Sequence, residues 1–173
     1  MKFSYALMAC AALAFGTASA TAQQVSTNVV ASNTAWSVFE ESQGCWAVAT
    51  AKESVNTRDG RVVAVRRGDV LLYVTYSPAQ NVAGQLAFTG GYPFAEKSTV
   101  EINVDGTKFD LFVQGEWAWP KSAEEDKKIV DAMKRGSTAV VSAQSSRGTK
   151  TKDTFSLLGF TAATDEAAKR CSG

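Results

Sequence analysis

The side chains able to do chemistry form a restricted set. Seventeen acids and three cysteines are present, and histidine is absent from all 173 residues. Catalysis that passes a serine or cysteine proton through an imidazole is therefore excluded, as are zinc sites with histidine ligands. Two carboxylates could still act on a glycosidic bond as an acid and base pair. Yet no acid stands in a catalytic motif. Asp105 precedes a glycine in a turn, and Glu124 and Glu125 sit where a helix begins. There is no glycine-rich phosphate loop, no cofactor fingerprint and no metal-ligand set.

The cysteines have a different chemistry. Lys2 precedes an apolar run from Phe3 to Phe15, and Ala18-Ser19-Ala20 or Ala20-Thr21-Ala22 offers small residues for cleavage after Ala20 or Ala22. This is the pattern of a Sec-type secretory leader over 1–22, too short to span a bilayer. The competing readings are a buried amino-terminal helix and a lipoprotein signal at Leu7-Met8-Ala9-Cys10. The latter leaves almost no apolar segment before the cysteine. Cleavage removes Cys10 and leaves Cys45 and Cys171, 126 positions apart. Two thiols in an oxidising compartment are expected to pair, the alternative being two buried free thiols. The expected location is the periplasm, the outer membrane or the medium.

Binding chemistry has three candidate places. Trp117 and Trp119, two apart on an extended segment, share one side and could stack on a glycan, peptide or lipid headgroup, or cap the core. In Gly90-Gly91-Tyr92-Pro93-Phe94 the glycines permit a sharp bend, and an aromatic before proline allows a cis bond. Tyr92 and Phe94 are either an exposed aromatic loop or a corner plugging the core. Arg147, Lys150 and Lys152 could gather as an anion patch or form a solvated hairpin tip.

The elements that must position these groups read mainly as β. Val100, Ile102 and Val104 alternate with polar residues, Asp105-Gly106 follows, and Phe109, Leu111 and Val113 resume the alternation. Aspartate-glycine is the preferred two-residue hairpin turn, and it sets Val104 opposite Thr107, Ile102 opposite Phe109 and Val100 opposite Leu111. The same register places Glu101 opposite Asp110, a like-charge pair. Residues 70–76 are apolar on both faces and suit a central strand. Further strands are expected over 36–39, 45–49, 62–65, 85–89, 137–143 and 151–158, with turns at Asp59-Gly60, Arg67-Gly68-Asp69 and Arg147-Gly148. Ser122 and Glu125 form a capping box for a helix ended by Gly136, with Glu124 and Asp126 favouring its positive start. A second helix over 161–170 has an alanine-rich face that Cys171 could hold in place. So many short strands argue for a sandwich or barrel.

Removing the leader takes Lys2 from 18 basic residues and leaves 17 against 17 acids, a net charge of zero. With no basic run, nucleic acid is not an expected partner. The remaining chain, about 150 residues, makes one domain able to bury roughly 70% of its unfolded surface. Residues 23–33 are polar and small and read as a flexible lead-in; 34–173 form the domain. No apolar stretch after the leader reaches transmembrane length.

A set of segments occurs in a fixed order: Cys45-Trp46-Ala47-Val48, Gly91-Tyr92-Pro93-Phe94, Val104-Asp105-Gly106, Ala132-Met133-Lys134-Arg135-Gly136, Ser146-Arg147-Gly148-Thr149-Lys150-Thr151-Lys152-Asp153-Thr154-Phe155-Ser156-Leu157 and Gly159-Phe160-Thr161-Ala162-Ala163. Together they resemble the invasion-associated locus B family of alphaproteobacteria, from about Trp36 to Cys171. The resemblance implies an exported, immunoglobulin-like antiparallel β-sandwich with two short helices, no known enzymatic activity or cofactor, and periplasmic or outer-membrane-associated residence. Some members from pathogens are linked to host-cell entry, so host-cell contact is implied by the resemblance alone. Three functions are expected to compete. The first is a non-enzymatic envelope binding or accessory protein that holds a protein, glycan or lipid component. The others are a carboxylate-based envelope hydrolase and a purely structural envelope component.

Overall fold

A computed structural model describes residues 28–171. The leader and the first part of the lead-in lie outside the described residues. Among these residues the fold is mainly antiparallel β with two helices. The strands are β1 Val29–Asn33, β2 Trp36–Glu41, β3 Gly44–Thr50, β4 Glu53–Arg58, β5 Arg61–Val62, β6 Leu71–Ser77, β7 Val82–Thr89, β8 Thr99–Val104, β9 Thr107–Gln114, β10 Trp117–Trp119, β11 Thr138–Gln144 and β12 Lys150–Ser156. The helices are α1 Ala123–Arg135 and α2 Phe160–Cys171. No helix among the described residues is long and apolar enough to cross a membrane.

The hairpin of β8 and β9 has the register its turn dictates. Val104 faces Thr107, Ile102 faces Phe109 and Val100 faces Leu111. Asp105 and Gly106 both take positive φ, 45° and 98°, as this two-residue turn requires. Glu101 does oppose Asp110. Lys108, two residues before Asp110 on the same face, offsets that repulsion by reaching Glu101 at 3.1 Å.

The strands run in the order β1-β2-β3-β6-β7-β10-β9-β8-β11-β12-β4-β5 as one continuous sheet. The two layers expected of a sandwich are its two halves, joined through β10 and β9 instead of standing as separate sheets. The halves face each other across one core. Phe88 on β7 meets Phe155 on β12 edge-on, with ring centroids 6.1 Å apart. The Trp36 indole N–H donates to the Ser156 carbonyl at 2.9 Å. At the other side of the roll the chain passes directly from β3 to β4, where Ala51 N–H donates to Val70 O and Lys52 N–H to Thr154 O. Alternation sends Val38, Cys45, Ala47, Leu72, Val74, Leu86, Ile102, Val141 and Phe155 into this core, each with no exposed surface.

Three expectations need correction. Residues 29–33, read as the end of a flexible lead-in, form β1 and pair with β2. The strand expected over 62–65 is only Arg61–Val62, and Val62 is exposed, because β5 is the outermost strand of the sheet. Arg67-Gly68-Asp69 is more than a turn between strands: Arg67 is buried against Asp153.

The helices cover the core. The Ser122 hydroxyl accepts from Glu125 N–H at 3.3 Å, and the Glu125 carboxylate accepts from Lys121 N–H, a shifted capping box. Ile129, Val130 and Met133 are the buried stripe of α1. Gly136 ends α1 in extended geometry, not left-handed; a side chain there would press on Val104 and Leu157. Helix α2 lies against β2 and β3 through Phe160, Ala163 and Ala167, with Phe160 edge-on to Trp36 at 4.8 Å. Its last residue forms the expected bridge: Cys45 and Cys171 are disulfide-bonded with Cα atoms 5.8 Å apart.

Candidate functional site

The four aromatics picked from the sequence divide between two places. Period-two alternation puts Ala118 of β10 into the core and turns Trp117 and Trp119 outward. The same alternation turns Tyr73 outward between Leu72 and Val74, and Phe112 outward beside Leu111. These outward rings form a row. Tyr73 and Trp117 are 5.5 Å apart, Trp117 and Trp119 6.2 Å and nearly parallel, and Trp119 and Phe112 5.6 Å. Trp117 is 38% exposed and Phe112 42%. Tyr73 and Phe112, absent from the sequence-level candidates, complete this surface. They carried no local signal because Phe112 meets β10 through the β9–β10 pairing and Tyr73 reaches it across the intervening β7.

A groove of about 440 Å³ adjoins the row. Trp119 and Phe112 form its apolar side, and Asn81, Gln85 and Gln114 supply amides. Asp126 sits in it and is nearly buried. Its carboxylate accepts from Leu86 N–H at 2.7 Å. Strand β10 pairs with β7 only at Trp117 and Ala118, then leaves through Pro120. Leu86 therefore lacks a strand partner on that side, and Asp126 replaces it. Burial pushes the Asp126 carboxyl from 3.8 up to about 6, opposed by the Leu86 hydrogen bond and assisted by Glu125. Asp126 was expected only as a helix-start acid, and nothing local in the sequence links it to Leu86.

Phe94 is not part of an exposed loop. It is 4% exposed, lies against Phe88 at 5.9 Å and meets Tyr92 edge-on at 5.2 Å. The bend that turns it inward needs Gly91, with φ 70° and Gly68 packed directly against its α-carbon. No cis peptide bond occurs among the described residues, so Pro93 follows a trans bond. Tyr92 is half-buried. Its hydroxyl is hydrogen-bonded to Thr151, and Arg67 lies over its ring at 4.9 Å. Burial raises the Tyr92 phenol above its usual value, against the Thr151 hydrogen bond and the Arg67 charge, which lower it.

Arg67 is the centre of this second place. Its guanidinium grips Asp153 through two bonds of 2.8 and 2.7 Å, and its Nε–H donates to Gly90 O at 2.9 Å. Ser54 donates to the same carboxylate at 2.6 Å. The Asp153 side chain is fully buried and that of Arg67 is 7% exposed. Arg147 stands beside this cluster, lining one cavity with Tyr92. Lys150 and Lys152 do not join it. They point away because Thr151 and Asp153, their neighbours on β12, point inward. The expected patch is thus split: Arg147, in the β11–β12 turn, lines the cavity, and the two lysines lie on the outward face of β12.

A rolled antiparallel sheet, fastened by a disulfide and bearing an aromatic outer row, defines a β-rich scaffold. The chain belongs to the invasion associated locus B family, whose sequence model matches residues 36–168. The crystal structure of invasion associated protein B from Bartonella henselae is similar in fold, with a TM-score of 0.57 at 16% identity, covering 83% of this chain and 98% of that chain. No curated protein sequence matches the chain.

Proposed function

We propose that this protein is an exported, non-enzymatic component of the cell envelope that holds a glycan on its outer aromatic row. The observation that supports this reading is the set of outward rings, Tyr73, Trp117, Trp119 and Phe112, beside the amides of Gln85, Gln114 and Asn81. Sugar rings present flat apolar C–H faces edged by hydroxyls. Aromatic faces cover the former, and amides exchange hydrogen bonds with the latter. The row is partly exposed and lies on strands, so binding needs little ordering of the protein. Export rests on the leader pattern of residues 1–22 and on the disulfide, which persists in oxidising compartments.

A hydrolase reading draws on Asp126, a carboxyl with a raised pKa in the groove. Asp126 is, however, the only acid among the described residues lining that groove, and its carboxylate is occupied by Leu86 N–H. Co-sedimentation with purified envelope polysaccharide separates the readings. The wild type is expected to pellet with the polysaccharide and release no soluble fragments. Trp117→Ala with Trp119→Ala is expected to stay in solution. Fragment release that disappears in Asp126→Asn would establish the hydrolase instead.

A further inference from the structure

We infer that the cavity at the Tyr92 end of the roll is a second binding site, built for a phosphate monoester carried on an organic group of about monosaccharide size. The cavity measures about 480 Å³. Its lining includes four arginines among the described residues, Arg58, Arg66, Arg67 and Arg147, which come from β4, the β5–β6 segment and the β11–β12 turn. Among the described residues one acid, Glu116, shares the lining. Asp153 lies behind Arg67 and neutralises it. Four positive charges against these two acids leave an excess of two.

The excess is not absorbed by other ion pairs. The six salt bridges among the described residues involve neither Arg58, Arg66 nor Arg147. Arg58 is steadied by a neutral partner, the Thr149 hydroxyl, at 2.6 Å. Arg67, locked on Asp153, forms a rigid wall and lies over the Tyr92 ring. Arginines that outnumber the acids around one cavity suit an oxyanion able to accept several charge-assisted hydrogen bonds. A doubly charged phosphate monoester matches an excess of two. The cavity is too large for phosphate alone and falls in the range of small-molecule sites. The Tyr92 ring, Pro93 and Val65 give it an apolar side against which an organic group could rest. This site is separate from the outer aromatic row and does not depend on the glycan reading.

Two sources could present such a group: a soluble sugar phosphate or a lipid headgroup ending in a monoester. The test is calorimetric titration of the disulfide-bonded protein with glucose 6-phosphate, glucose, inorganic phosphate and sulfate. In parallel, flotation is measured with phosphatidylcholine vesicles with and without phosphatidic acid. Glucose 6-phosphate, phosphatidic acid vesicles or both are expected to bind, the soluble ester tighter than about 1 mM. Whichever binds identifies the source. Arg66→Ala with Arg147→Ala should weaken binding at least about tenfold per arginine. Both side chains belong to exposed residues, so the urea midpoint should stay at the wild-type value. Failure of both sources to bind overturns the inference. So does equal affinity for sulfate or inorganic phosphate and the ester, or binding that survives loss of the two arginines.

Discussion

Removing the disulfide is the most quantitative perturbation of this fold. The bridge joins residues 126 positions apart, so it closes nearly the whole described chain into one loop. Chain entropy alone assigns such a loop about 5 kcal/mol, whereas measured bridges of this kind usually contribute about 2–4. The site favours a substantial value. Helix α2 buries only Phe160, Ala163, Thr164 and Ala167, a face of mostly small residues, and the bridge sits at its far end. Phe160 against Trp36 holds the near end without it. Cys45→Ala with Cys171→Ala should therefore lose about 2–4 kcal/mol in urea unfolding, with a lower midpoint and a larger m as the unfolded chain expands. For a domain of this size the melting temperature should fall by about 6–15 °C. Hydrogen exchange should quicken at the carboxyl-terminal end of α2 before the sheet is affected. An unchanged midpoint and melting temperature in the double variant would refute the reasoning, because the crosslink would then constrain nothing in the unfolded chain.

Three other outcomes are expected. Asp153→Ala strands the Arg67 guanidinium in a buried position and should cost about 3–5 kcal/mol in urea unfolding. Exchanging both partners, Arg67→Met with Asp153→Leu, should cost less than Asp153→Ala alone; a greater cost would contradict this. Asp126 titrates at about 6 in the fold and at 3.8 ordinarily, so the folded state binds its proton more tightly. That preference stabilises the fold fully below about pH 4 and is lost as pH rises through about 6. Its ceiling is about 3 kcal/mol, reduced by solvent at the groove mouth to about 1–2. Asp126→Asn keeps an acceptor for Leu86 N–H, so it should match the wild type at pH 4 and exceed it by about 1–2 kcal/mol at pH 8 in the same assay. Gly91→Ala should destabilise by at least about 1 kcal/mol, through positive φ and collision with Gly68; a neutral effect would mean the bend at Tyr92 is not fixed.

The parts of this architecture that local pattern determines were legible in the sequence. A two-residue turn fixed the β8–β9 register, serine and glutamate marked the start of α1, and two cysteines sufficed to expect the bridge. Strands β1 and β4 were not legible. Each lies at or next to an edge of the sheet, where polar sequences such as Glu53–Arg58 are tolerated and blunt the alternation. The continuity of the sheet was also hidden, since it depends on a three-residue strand, β10, pairing on both sides. The candidate sites were partly legible. Trp117 and Trp119 were legible as one side of a strand, either a surface or a core cap, but Tyr73 and Phe112 join them only across strands. Arg67 and Asp153 lie 86 positions apart and look like a turn residue and an ordinary strand acid until the roll brings them together. Phe94 stayed open between loop and core because an aromatic beside Gly-Gly and Pro reads the same either way, and the core reading is the one that holds.

The central claim is that the outer aromatic row holds a sugar chain without cutting it. The most direct measurement is heteronuclear NMR of the disulfide-bonded protein titrated with an N-acetylglucosamine oligomer, with product analysis of the same sample. The account predicts saturable shifts concentrated at the indole N–H groups of Trp117 and Trp119 and the amides of Gln85 and Gln114, with the oligomer recovered intact. Shifts confined to other surfaces, or a cleaved oligomer, would contradict it.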